Sequence, residues 1–302
     1  MSRNRRYVTL TVLCLCPLLN VLAVSAEGED IEKQLRSEYQ GKVITLRHFY
    51  SGERLRFGAD GILIGEAAVG PWTVDGQLQV ESIHLRGRIL KIEGRRLSMF
   101  FDADRNQFRD LSSVRKDERA AKQFTKVGDR GWKKTLAKQE RIDIEIELVS
   151  ETPAAREIFL TTNAIFLAPT ESLAEVVPSF WHRYFKRQEG RTDDDRSLYA
   201  PLYRMKEGRV LEEGVLAPHS LSAPGPEYSE EARKAGYQGT VTMSFVVDTA
   251  GTPKDIQITQ PSGLGLDEKS VEAVSAWKFE PGQKETRAVS VEMNVETSFR
   301  LY

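Results

Sequence analysis

The four histidines, His48, His84, His182 and His219, are the side chains best suited to ligate a metal or carry a proton, and they are scattered along the chain. No two stand at metal-ligand spacing, and there is no His-Glu-x-x-His. His48 falls in an alternating run where a structural or surface role suffices. No serine is framed as Gly-x-Ser-x-Gly, so Ser262-Gly263 is not a nucleophile elbow. Asp193-Asp-Asp195 lacks the glycine and glutamate of a calcium loop and reads as a solvated acidic loop. Gly65 to Gly70 lacks the spacing and the lysine of a phosphate loop. The expectation is no catalytic residue, no metal site and no cofactor. A formal net charge of -1 without a basic patch also speaks against nucleic acid.

The chain opens with Arg3, Arg5 and Arg6, then an apolar run from Tyr7 to Ala23, then the small residues Val24-Ser25-Ala26 and an acidic stretch. That is the layout of a secretory signal peptide over residues 1–26. The alternative is an uncleaved membrane anchor. The run is just short of the ~20 residues a spanning helix needs, and Pro17 and Asn20 interrupt it. Both cysteines, Cys14 and Cys16, lie in this leader, so cleavage leaves a chain without disulfides or thiols.

Residues 27–187 read as a β-rich α+β domain of unknown role, a sandwich or open barrel with a few helices. Ile31, Leu35 and Tyr39 mark a helix that stops at Gly41. In Arg141 to Val149, Ile142, Ile144, Ile146 and Leu148 alternate with Asp143, Glu145 and Glu147, as a strand with one wet face requires. Ser112 to Phe124 is charged and reads as a surface helix. Gly70-Pro71-Trp72 reads as a rigid turn whose tryptophan packs at a core edge or walls a binding cleft. Ser172-Leu-Ala-Glu175 is a capping-box pattern, and Phe180 to Lys186 is a core helix or a surface that touches lipid or peptidoglycan. Residues 188–225 are polar and punctuated by Pro and Gly, and read as a linker between two separately folding regions.

Residues 226–302 form the second domain. Ser229 caps a helix that Gly236 ends. Gly239 to Asp248 and Asp255 to Thr259 form a hairpin, Asp267 opens a second helix carrying Val271, Val274 and Trp277, and Val289 to Leu301 is the last strand.

Pro226-Glu-Tyr-Ser-Glu-Glu-Ala-Arg233, Gly236-Tyr-Gln-Gly239, Ser262-Gly-Leu-Gly-Leu-Asp267, Trp277-Lys-Phe-Glu-Pro281 and the closing alternating strand together resemble the TonB C-terminal domain. The resemblance implies three antiparallel strands and two helices. It also implies a periplasmic protein that takes up a strand of an outer-membrane receptor at the edge of its last strand, here around Val289, Val291, Glu292, Met293 and Val295. Gly225 and Tyr228 stand where the best-known members carry a Gln-Pro-x-Tyr-Pro grip on the receptor, with the glutamine and second proline replaced. The anchor histidine and the Pro-rich spacer of energy-coupling members are absent too. Two readings follow. One is a TonB-like adaptor in transmembrane transport. The other is an envelope structural or interaction protein that binds another protein or peptidoglycan without transducing energy, and inner-membrane anchoring is the alternative location.

Overall fold

The computed structural model describes residues 28–116, 120–125, 141–191, 196–206, 209–210 and 212–301. The leader over 1–26 and the triplet Asp193–Asp195 lie outside the described residues.

The first region contains helices α1 (Gly28–Tyr39), α2 (Trp72–Asp75), α3 (Ala155–Ile165) and α4 (Ser179–Gln188). Its strands are β1 (Val43–Thr45), β2 (Arg54–Phe57), β3 (Gln77–Arg86), β4 (Ile89–Arg96), β5 (Met99–Asp102), β6 (Gln107–Asp110) and β7 (Arg141–Glu147). Where the alternation suggests a sandwich or barrel, the strands β1-β3-β4-β7-β2 make one mixed sheet, with β2 parallel to β7 and the other pairs antiparallel. Ile142, Ile144 and Ile146 are fully buried on one face, against Leu35 of α1 and Ile158 and Ile165 of α3. The opposite face is salted: Arg88–Glu147 (2.7 Å), Arg56–Glu145 (3.7 Å) and Lys91–Asp143 (3.9 Å). One apolar face per strand needs one cover, and helices supply it in place of a second sheet.

Arg96 closes this region. It is 3 % exposed and donates to the carbonyls of Asp75 (2.7 Å), Tyr50 (2.7 Å) and Gly52 (2.9 Å), with the Asp75 carboxylate at 3.4 Å. The segment read as a surface helix at 112–124 is two 3-10 turns, Leu111–Lys116 and Ala120–Gln123. Leu111, Val114, Ala120 and Phe124 turn inward from it.

The second region contains β8 (Leu202–Lys206), β9 (Arg209–Val210), β10 (Val215–Leu216), β11 (His219–Ser222), helix α5 (Glu230–Ala235), β12 (Gly239–Val247), β13 (Pro253–Gln260), helix α6 (Leu266–Ser275), β14 (Lys278–Glu280), β15 (Gly282–Lys284) and β16 (Arg287–Phe299). Ser229 accepts from Ala232 N and caps α5, and Gly236 ends it at φ +65°, a backbone region that glycine adopts without Cβ strain. Strands β12, β13 and β16 are antiparallel, and Val241, Met243, Phe245 and Val247 of β12 are fully buried. The stretch read as a linker supplies four short strands: β8 pairs with β16, β9 with β8, β10 with β15 and β11 with β14.

The two regions share a core. Trp72, Phe100, Phe101, Phe124, Trp181 and Tyr184 pack in one cluster with Tyr237, Phe245 and Val274. Phe101 N donates to Ser262 O (2.8 Å) and Leu264 N to Met99 O (2.8 Å), so β5 pairs with the loop before α6. Asp267 does not cap α6 from outside. Gly265 holds the cap position, and the Asp267 carboxylate accepts from Ser262 N (2.8 Å) and Gly263 N (2.6 Å). Trp72 is a core residue on a short helix, and α4 buries Trp181 and Tyr184.

Trp277 follows α6 and is only half-buried, with its Nε1 donating to Pro224 O (2.9 Å). Trp181 is fully buried, ringed by Trp72, Phe108, Tyr184 and Phe185 at 5.6–6.0 Å. Trp181→Ala should therefore cost ~3–5 kcal/mol and Trp277→Ala clearly less. Thermal melts of the two variants check the order.

Trp181 Nε1 donates to Glu268 Oε1 (3.1 Å), while Glu268 Oε2 is enclosed with no partner among the described residues. Burial raises the carboxyls of both Glu268 and Asp267 above the ordinary range, and the Asp267 charge pushes Glu268 further. In the window above that ordinary range the folded chain holds protons that the unfolded chain has lost, so these groups make stability fall as pH rises. Glu268→Gln keeps an acceptor for Trp181. It should raise the melting temperature near pH 8 and flatten its decline between about pH 5 and pH 8. An unchanged slope in a melting series would show that Glu268 titrates normally.

Candidate partner-binding edge

Strand β16 pairs with β12 without a register shift from Gly239↔Phe299 to Val247↔Val291. Its direction is fixed by the neighbouring hairpin. Asp248 N donates to Thr252 O (3.1 Å) and Asp248 O accepts from Gly251 N (2.9 Å), so the backbone groups of Asp248 face β13. Successive residues of a strand point their N–H and C=O to opposite sides. Odd-numbered residues of β12 therefore face β16, and their partners Val291, Met293, Val295, Thr297 and Phe299 face β12. The groups on the far side belong to Glu292, Asn294, Glu296 and Ser298.

That far side is divided. Val291 and Glu292 pair with β12 and, in parallel, with Tyr203 and Arg204 of β8, so β8 lies opposite β12. From Met293 to Phe299, no strand among the described residues pairs on that side. Asn294, Glu296 and Ser298 are exposed there, while Thr297 and Phe299 turn inward, with Thr297 Oγ1 2.7 Å from Ser270 Oγ of α6.

The residues singled out in the sequence lie on β16 or before α5. Val289 pairs with Gly282 of β15 and is buried. Val291 is fully buried and pairs in parallel with Tyr203 of β8. Glu292 is held by Arg196 Nη1 (2.6 Å) and Arg204 Nε (3.1 Å). Met293 and Val295 are half-buried against the core and lie along the open stretch, but their backbone groups face β12. Gly225 is exposed. It follows Pro224, which is tied to Trp277, and precedes Tyr228, whose ring lies 5.3 Å from Phe299 and whose hydroxyl donates to Tyr237 O (3.1 Å). Burial pushes the Tyr228 hydroxyl up to about 12, so it stays a donor at any physiological pH. The backbone groups that face outward along the open stretch belong to Asn294, Glu296 and Ser298, which the sequence reading does not single out. Their only sequence signal is the alternation of polar residues with Met293, Val295 and Thr297.

The face of the sheet that carries Ser244 holds a charge network. Arg183 reaches Ser244 Oγ (3.0 Å) and Asp255 (3.3 Å), and the buried Arg196 bridges Asp255 (2.8 Å) and Glu292. These pairs fasten α4 and residue 196 to β12, β13 and β16 together. Among the described residues no three His, Cys, Asp or Glu side chains gather as metal ligands.

Residues 224–301 match the family described as Gram-negative bacterial TonB protein C-terminal. Protein tonB2 of Pseudomonas aeruginosa is 35% identical over 82 residues, 27% of this chain and 30% of the relative. Protein TonB of Vibrio cholerae is 32% identical over 77 residues, 25% of this chain and 32% of the relative. The chain thus spans about a third of the length of these relatives. The solution NMR structure of the Pseudomonas aeruginosa TonB CTD is similar with a TM-score of 0.25 and 22% identity, over 30% of this chain and 90% of that one. The run from α5 to β16, a helix, two strands, a helix and then the short β14 and β15 before the long β16, falls within residues 224–301, which match the TonB C-terminal domain family.

Proposed function

We propose that this protein works on the periplasmic side of the cell envelope and binds an outer-membrane receptor or another envelope protein by adding the partner's strand to β16. The observation that carries this reading is the open side of β16 from Met293 to Phe299, with the outward backbone groups of Asn294, Glu296 and Ser298. Seven residues in extended form span about 23 Å, longer than an average strand, so a short partner segment fits there. Main-chain hydrogen bonds supply the affinity and need no particular side chain. The family match over residues 224–301 supports the same edge. No helix among the described residues is long and apolar enough to cross a membrane.

One observation favours an interaction module over an energy transducer. The C-terminal domain is built into a common core with Phe100, Phe101 and Trp181, so it is held as part of a larger body. A docked partner would be carried by the whole body and not by a domain swinging on a tether.

Extended peptides selected by display on the immobilised full chain should protect the amides of Asn294, Glu296 and Ser298 from hydrogen exchange. Glu296→Pro removes an outward donor and should abolish that binding with the fold kept. Val295→Pro removes a donor that faces β12 and should melt the sheet. Binding of the selected peptides by Glu296→Pro as by the parent would sink the strand-addition reading.

A further inference from the structure

The open stretch of β16 stops where the chain's own β8 begins. Leu202, Tyr203 and Arg204 lie in parallel register on Ser290, Val291 and Glu292. Ser290 and Glu292 have the same parity as the outward-facing Asn294 and Glu296. The main-chain groups that β8 covers are therefore of the same kind as those left open further along. The hold on them is short. The register covers three residues, and beyond it β8 turns into a hairpin with β9 at Met205↔Val210 and Lys206↔Arg209. Among the described residues, its side-chain contacts are Arg204 Nε to Glu292 Oε2 at 3.1 Å and Lys284 Nζ over the Tyr203 ring at 5.1 Å. Arg204 is 62% exposed, and an ion pair so open to water contributes little. Leu202 and Tyr203 are only half-buried, and Leu198 just before them is 91% exposed.

We propose that β8 is an internal competitor for the binding edge: an extended partner strand that reaches past Met293 toward Ser290 must displace Leu202–Arg204. This rests on the strand-addition reading above. The charges around the latch fit the role. Glu292 is shared between Arg204, which leaves with β8, and the buried Arg196, which also binds Asp255. When β8 departs, Glu292 keeps a cationic partner, so the opened edge is not left with an unpaired buried charge. A partner of six or seven residues occupies only Met293 to Phe299 and leaves β8 in place. A longer one gains outward groups at Glu292 and Ser290 and gives up the affinity needed to displace β8. The apparent affinity for a long strand is thus lowered by the fraction of molecules in which the edge is closed.

Three forms of the full chain, each with Cys14→Ser and Cys16→Ser, test this. The first is otherwise unaltered. The second carries Arg204→Glu, which sets a like charge against Glu292. The third carries Leu202→Cys with Ser290→Cys, a pair on facing strands about 4.8 Å apart and within reach of a disulfide. The probes are display-selected peptides of six and twelve residues. Without any peptide, the Glu292 amide should exchange slowly in the first form and fast in the second. The twelve-residue peptide should bind Arg204→Glu about ten-fold more tightly than the unaltered form. It should bind the oxidised disulfide form at least about ten-fold more weakly, with recovery on reduction. The six-residue peptide should bind all three alike. Equal affinity of the longer peptide for all three forms, with the Asn294 and Glu296 amides protected in each, would overturn the competitor while leaving strand addition intact. A Glu292 amide that stays slow in Arg204→Glu while the disulfide form binds normally would overturn it too. Failure of every selected peptide to protect Asn294, Glu296 or Ser298 would remove strand addition itself, and the competitor with it.

Discussion

The loop from Ser262 to Gly265 is the knot on which the rest of the molecule depends. Five parts of the chain meet it through hydrogen bonds buried in the interior. The Asp267 carboxylate accepts from Ser262 N and Gly263 N, and the Tyr237 hydroxyl donates to Ser262 O at 2.9 Å. Ser229 Oγ donates to Leu264 O at 2.5 Å, and Gly265 N donates to Thr73 Oγ1 at 3.1 Å. The backbone of Met99 to Phe101 pairs along the same loop. Gly263 makes the approach feasible. Its φ is +90°, and a Cβ there would lie 2.5 Å from Met99 O and 2.8 Å from Phe100 Cα. Each of these polar groups would be costly to bury alone, so the knot forms as a whole or not at all.

From this constraint follows the way the small C-terminal domain is presented. Its helices are backed by Phe100, Phe101 and Phe124, and β13 is packed by α4 through Trp181, Arg183 and Arg187. On the outer side of β16 a run of backbone from Met293 to Phe299 has no strand partner among the described residues. Even that run is shortened at one end by β8. An exposed edge strand is a hazard for uncontrolled pairing, and covering part of it while leaving Glu296 on the rest is a restrained solution.

The internal strand and the charge network are also connected. Arg196 lies just upstream of β8 and is anchored to Asp255 and Glu292, so the chain enters β8 from a fixed point. A segment fixed at one end and lightly held along three residues can leave and return without losing its place. This is what an internal competitor requires, since a return by a distant, unanchored segment would carry a larger loop-closure cost.

Local chemistry was legible in the sequence. Ser229 and Gly236 bound α5 because a side-chain oxygen and a residue tolerant of positive φ are needed at those two points. The alternation Ile142, Ile144, Ile146 buried a strand face, since side chains of a strand alternate by geometry alone. The helix, two strands and second helix from α5 to α6, and the long last strand, were readable in the same way, but the short β14 and β15 between them were not; residues 224–301 match the family whose motifs they carry. The tertiary structure decided what lies between chain segments far apart in sequence. It turned Leu111, Val114 and Phe124 inward, although their neighbours are charged. It made Trp181, and not Trp277, the buried anchor. It laid Leu202–Arg204, in a stretch whose Pro and Gly read as irregular, on the edge of β16. It also set which of two neighbouring residues turns its backbone outward, selecting Asn294, Glu296 and Ser298 over Met293 and Val295. Pairing between strands is made by backbone groups that every residue carries. Composition therefore says little about which edges meet, and the register follows only when the whole sheet is in place.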